Sequence, residues 1–137
     1  MILVSACLAG FNCRYDNSNK EDAKIVRLVK EGKAIAVCPE QLAGLPTPRK
    51  SFELSNGKVF SEDGEDYTDI FTKGAYETLN LCKKFGCTKA VLKNHSPSCG
   101  CDEIYDGSFT GNLIKGNGIT AKLLKENGIE VISENDV

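Results

Sequence analysis

Cys7, Cys13, Cys38 and Cys99 fall just beyond short apolar segments, 2–6, 34–37 and 89–92, that read as buried strands. If those strands are parallel neighbours, their carboxyl ends share one edge, where open α/β sheets place their ligands. Thiolates from distant parts of the chain then meet in one crevice, a donor set suited to a metal or iron–sulfur centre. Glu40, two residues past Cys38, reaches the same crevice and can take a proton there.

Each cysteine alone has a plainer reading. A thiol at a strand end is often just a small buried apolar group. Ser96-Pro97-Ser98-Cys99-Gly100-Cys101 is more pointed, since Pro97 restricts the backbone and Gly100 frees it, so the turn can aim sulfur and N–H groups at an anionic cluster. The C-x5-C spacing of Cys7 and Cys13 matches no zinc finger, and the paired knuckles of a closed zinc site are absent. Cys82, on the apolar stripe of a helix, and Cys87, at the amino end of the third strand, are expected to be structural. Cys101 lies near the site but is free to point away. His95, the lone histidine, is either an acid, base or ligand or a surface loop residue. Gly116-Asn117-Gly118 before a helix reads as an anion nest or as a simple turn.

The bulk composition narrows the class. A chain of 137 residues, 41% hydrophobic and 26% charged, suits one soluble domain, expected to span 1–137. A net charge of −2 gives no electrostatic footprint for duplex nucleic acid. Seven cysteines are an odd number and fall below the density of a disulfide scaffold, so a reduced, cytoplasmic protein is expected. Val4-Ser5-Ala6-Cys7 resembles the end of a lipoprotein signal, but six residues, none basic, precede Cys7. No apolar run reaches the ~20 residues of a membrane span.

The elements that must position these residues alternate. Helices are expected at about 21–31, 67–85 and 119–127, and a fourth strand at 129–133. Residues 41–49 read as loop because of Pro46 and Pro48; 52–65 read as an excursion or a hairpin; 94–112 read as loop. The fold expected is α/β, a single Rossmann-like domain with a mainly parallel sheet and crossover helices.

Five strings in order, 4–16 (VSACLAGFNCRYD), 38–49 (CPEQLAGLPTPR), 92–100 (LKNHSPSCG), 104–111 (IYDGSFTG) and 118–124 (GITAKLL), resemble the small bacterial and archaeal family of 2-thiouracil desulfidases. The resemblance spans essentially the whole chain. It implies a 4Fe–4S cluster held by three protein thiolates, with one iron open to the sulfur of a thiolated pyrimidine such as 2-thiouracil. Water replaces that sulfur and hydrosulfide leaves without net redox change. Carried over by motif, Cys7, Cys38 and Cys99 are the implied ligands, with Cys13 the alternative to Cys7. Glu40 and Ser96 are the implied residues that activate water and relay protons. The implied partner is a small thiolated substrate rather than a membrane or nucleic acid. Cys101 departs from the pattern; were it to ligate the fourth iron, catalysis would be blocked and an electron-transfer role favoured. The alternative to the enzyme is a non-enzymatic iron–sulfur or zinc-binding domain that senses redox state or metal.

Overall fold

Four short strands pair in parallel in the computed structural model, which describes residues 1–137. They are β1 (Ile2–Ser5), β2 (Ala34–Val37), β5 (Lys89–Leu92) and β8 (Glu130–Ser133), in the spatial order β2-β1-β5-β8. Register aligns their carboxyl ends: Ser5 lies beside Val37, Val4 beside Val91, and Leu92 beside Ser133. Residues 6, 38 and 93 therefore leave the sheet at nearly the same level. From β1 the chain runs to one side for β2, then to the other for β5 and β8. A crevice opens at such a reversal.

Alternate strand residues serve two apolar layers, as a period of two residues requires. Leu3, Ala90 and Leu92 pack with Leu79 and Cys82 of α3 (Thr68–Phe85) and with Ala121 and Leu124 of α4 (Ile119–Glu126). Val4, Val91 and Ala34 pack with Ile25 of α1 (Ala23–Lys30). Helices thus cover both faces, and a mixed α/β architecture with a parallel sheet results. α1 begins one residue after Asp22, whose carboxylate accepts the N–H groups of Lys24 and Ile25 at 2.9 and 3.4 Å. No helix is long and apolar enough to cross a membrane.

Segment 52–65 resolves to a hairpin, β3 (Phe52–Ser55) with β4 (Lys58–Ser61), turned by Asn56 and Gly57, both at positive φ. Two stretches read as loop contain structure. Pro39–Leu42 forms a single helical turn, α2, because a proline at the first helical position starts a helix rather than breaking it. Glu103–Tyr105 (β6) pairs antiparallel with Leu113–Lys115 (β7). Strands of three residues, one with every residue exposed, are too short to leave a periodic signature.

α2 is seated on α3 through Gly74. A Cβ there would stand 2.2 Å from the carbonyl oxygen of Pro39. Glycine inside a helix costs about 1 kcal/mol relative to alanine, and here it permits the close approach that fixes the Cys38-Pro39-Glu40 turn. Gly74→Ala is expected to lower stability by about 1–3 kcal/mol through overpacking, despite its better helix propensity. Urea unfolding of the two proteins checks this; an unchanged or raised midpoint would show that the turn tolerates displacement.

Candidate metal centre

Each cysteine at the sheet edge is held by a different local device. Cys7 lies in a 3-10 turn, Ala6–Ala9, where its carbonyl accepts the Lys20 N–H at 2.9 Å and so draws the returning loop back. Cys13 lies in that loop. Cys38 precedes α2 directly and keeps extended backbone, its thiol 3.8 Å from the Cys13 carbonyl. Cys99 occupies a tight turn in which its N–H donates to Ser96 Oγ at 2.7 Å and the Gly100 N–H to the Ser96 carbonyl at 2.9 Å.

The turn around Cys99 is docked on the start of α4. Ile119 donates to the Pro97 carbonyl at 2.9 Å, and Thr120 and Ala121 to the Ser98 carbonyl at 3.0 and 3.1 Å. These amides are the free donors of a helix N-terminus. Because they are spent on the turn, the Gly116-Asn117-Gly118 segment is a helix entry and not an anion nest. Asn117 instead accepts a hydrogen bond from Lys125 at 2.7 Å.

One cavity of about 590 Å³ opens at this edge, and Cys7, Cys13, Cys38 and Cys99 all line it. Glu40, Ser96, Ser98 and His95 line it too. Cys82, Cys87 and Cys101 do not; all three are buried in the apolar layer beneath α3 and α4. Cys101 therefore points away from the site. His95 stands at φ +78, its Nε2 3.7 Å from Glu103 and its ring edge-on to Tyr105.

The thiols form a continuous set. Cys13 interacts with both Cys38 and Cys7: the hydrogen bond with Cys38 favours its thiolate, but Cys7 and burial outweigh it and push the thiol up to about 11. Cys38 is raised by its bond with Cys13 and by burial. Burial pushes Cys99 up to about 12, partly offset by a hydrogen bond with Ser5. In the metal-free protein these three sulfurs are protonated at neutral pH, and a metal must displace those protons to bind.

No three His, Cys, Asp or Glu side chains converge on a point at the distances of a single metal ion. A closed zinc site needs four such donors at ~2.0–2.3 Å. Soft sulfurs spread around one cavity fit a body with several metal atoms, each met by a separate thiolate. The donor set fits an iron–sulfur cluster better than a lone zinc.

Glu40 is a buried carboxylate with both oxygens engaged. Arg49 Nε donates to Oε1 at 2.9 Å, and Ser98 Oγ donates to Oε2 at 2.8 Å. Side-chain exposure is 4% for Arg49 and 11% for Glu40. The rest of the guanidinium reaches Thr47 Oγ1 at 2.9 Å and the Cys13 carbonyl at 2.8 Å, and stands 4.0 Å from Cys38 Sγ. Ser96 Oγ is 3.4 Å from Ser98 Oγ, so the hydroxyl touching Glu40 is that of Ser98, with Ser96 one step behind. Sequence reasoning did not single out Arg49, Ser98 or Ser5. Arg49 ends the motif that Cys38 begins, and a lone arginine after two prolines was the available signal.

Lys93 and Asn94 carry the chain from β5 into the site and are clasped from β8's side. Lys93 Nζ lies 2.8 Å from Glu134 Oε2, and the Asn94 N–H donates to Oε1 at 2.8 Å. Burial alone would raise the Glu134 carboxyl, but Lys93 and the Asn94 N–H hold it below its usual range. A carboxyl depressed by folding adds stability above its unfolded pKa and loses it as pH falls through the folded one. Between about pH 7 and about pH 3 the wild type is expected to lose more stability than Glu134→Gln, measured as the shift in urea midpoint. Arg49→Ala, which strands Glu40 without a cation, is expected to cost about 3–5 kcal/mol by the same assay. A loss under 1 kcal/mol would show that water takes over the role of the guanidinium, as at an exposed pair.

The uncharacterized protein YbbK of Bacillus subtilis (strain 168) is 44% identical over 147 residues, an alignment covering 100% of this chain and 97% of YbbK. The solved structure of the [4Fe-4S]-dependent thiouracil desulfidase TudS is 44% identical and superposes with a TM-score of 0.95 over 99% of this chain and 91% of TudS. The family model described as 2-thiouracil desulfurase matches residues 2–136. With its motifs, its fold and nearly every residue inside that match, the chain belongs to the 2-thiouracil desulfurase family.

Proposed function

We propose that this chain is a 4Fe–4S-dependent desulfidase that replaces the sulfur of a thiolated pyrimidine, such as 2-thiouracil, by oxygen. The observation that carries the reading is one cavity lined by four thiols together with a buried, doubly bonded carboxylate. Likeness to TudS over the whole chain supports it. In our reading residues 1–137 work as one Rossmann-like, cytoplasmic unit whose partner is a small thiolated molecule. Cys7, Cys38 and Cys99 are the proposed ligands, and Cys13, in contact with both Cys7 and Cys38, is the alternative to Cys7.

The overall change is balanced without a redox partner: thiocarbonyl plus water gives carbonyl plus hydrogen sulfide. When bound, the cluster supplies a sulfur-seeking metal atom. The remaining work falls to the chain. Glu40 accepts a proton from water at the thiocarbonyl carbon. Arg49 on Oε1 and Ser98 on Oε2 together orient that carboxylate. Ser98 and Ser96 stand in line behind it, close enough to pass a proton toward the departing sulfur. The buried walls limit competing bulk water.

Anaerobic reconstitution, iron and sulfide quantification, and hydrosulfide release from 2-thiouracil test the reading. Cys38→Ala and Cys99→Ala are expected to lose the cluster and its absorption band, whereas Cys82→Ala keeps both and loses only ~1 kcal/mol of stability. Glu40→Gln is expected to keep the cluster and lose ~100-fold or more in turnover. Four thiols around one cavity also permit a fully ligated cluster. Loss of iron on changing either Cys7 or Cys13, with no hydrosulfide from the wild type, would move the chain to the sensing class.

A further inference from the structure

The segment joining β6 to β7 lies against β3 and reaches the cavity. Gly107, at φ +93, approaches so closely that a Cβ would stand 2.7 Å from the Leu54 carbonyl oxygen. Two residues on, Phe109 adopts φ +57, a conformation that bulky side chains rarely take. Such strain persists only where the surroundings over-determine it. Here one oxygen does so: Glu53 Oε1 accepts the Gly107 N–H at 3.0 Å and the Phe109 N–H at 3.1 Å. Glu53 is buried, at 8% exposure, and its two hydrogen bonds are both to this segment.

Of the aromatic rings lining the cavity, Phe52 is edge-on to Tyr67 and Phe71, Tyr105 is edge-on to His95, and Tyr15 has the Arg14 guanidinium 5.9 Å from its ring centroid. Phe109 lines the same cavity, half-buried, and belongs to none of these ring pairs. A strained backbone, a buried carboxyl group given over to it, and an unpaired ring at the cavity wall make one arrangement. Ring faces stack on aromatic side chains with little regard to ring substituents. We infer that Phe109 is the platform for the substrate's planar heterocycle, and that Glu53 is a positioning residue holding the platform in place. The inference rests on the desulfidase reading and narrows it: the ring's plane is selected more strictly than its substituents.

The test uses anaerobically reconstituted protein and 2-thiouracil. Phe109→Ala is expected to raise KM about tenfold, within the range of one lost base–aromatic stack, with kcat changed less than about twofold and the cluster band unaltered. Phe109→Tyr restores KM. Glu53→Ala raises KM similarly and adds nothing on the Phe109→Ala background, and it speeds hydrogen exchange at the Gly107 and Phe109 amides. Glu53→Gln, which keeps a carbonyl acceptor, stays near the wild type and serves if Glu53→Ala does not fold. An unchanged KM in Phe109→Ala, or additive effects in the double variant, overturns the inference. If the wild type releases no hydrosulfide, the desulfidase reading fails, and calorimetric titration of the same proteins with uracil decides the platform separately. Tenfold weaker binding to Phe109→Ala then supports it, and equal binding, or none to the wild type, overturns it.

Discussion

The buried ion pair between Arg49 and Glu40 is the constraint on which the site depends. It joins three pieces of chain that the sheet brings to one edge: the Cys13 loop through its carbonyl, the α2 turn through Glu40, and the Cys99 turn through Ser98. Burying such a pair rarely adds stability over apolar packing, because desolvation of both charges offsets their attraction. What it provides is orientation. Each guanidinium N–H has a fixed direction: Nε holds one Glu40 oxygen while the Cys13 carbonyl takes another donor, and Ser98 on the second Glu40 oxygen completes the orientation of the carboxylate.

The sheet supplies the level at which those segments leave the core, and this part of the fold was legible in the chain. Short apolar runs at 2–6, 34–37 and 89–92 mark buried parallel strands, and glycine-stopped amphipathic helices lie between them. Register then sets Ser5 beside Val37, which brings Cys7 and Cys38 to one edge. The same reasoning separates Cys82 and Cys87 from the site, since a helix stripe and the amino end of a strand both face the apolar layer. Cys101 was not separable that way. Only the direction of the turn after Cys99 decides where its thiol points.

The remaining features were hidden because long-range partners create them. Arg49 reads as a loop residue until Glu40 and the Cys13 carbonyl are folded against it. Ser96 and Ser98 are equivalent in sequence, two hydroxyls flanking one proline, and only docking on α4 turns Ser98 toward Glu40. The glycine–asparagine–glycine entry to α4 carries the composition of a nest, yet its helix amides already hold the Pro97 and Ser98 carbonyls. The β6–β7 hairpin is not visible in the apolar pattern because β6 packs on β3 through Ile104 alone and β7, fully exposed, is held only by pairing with β6.

Charge balance explains how such a pocket can fold before it is loaded. Thiolates packed together would repel one another in a poorly solvated cavity. Burial and mutual contact instead keep Cys13, Cys38 and Cys99 as neutral thiols, while the one buried carboxylate in contact with them already has its guanidinium. On the proposed reading the chain folds around a nearly neutral set of sulfurs and exchanges protons for metal afterwards. Arg49, in reach of Cys38 and the Cys13 carbonyl, is placed so that its positive charge also falls on the sulfurs once they ionise. On that reading one side chain serves both states: Arg49 compensates Glu40 before metal binds and the proposed thiolate ligands after it.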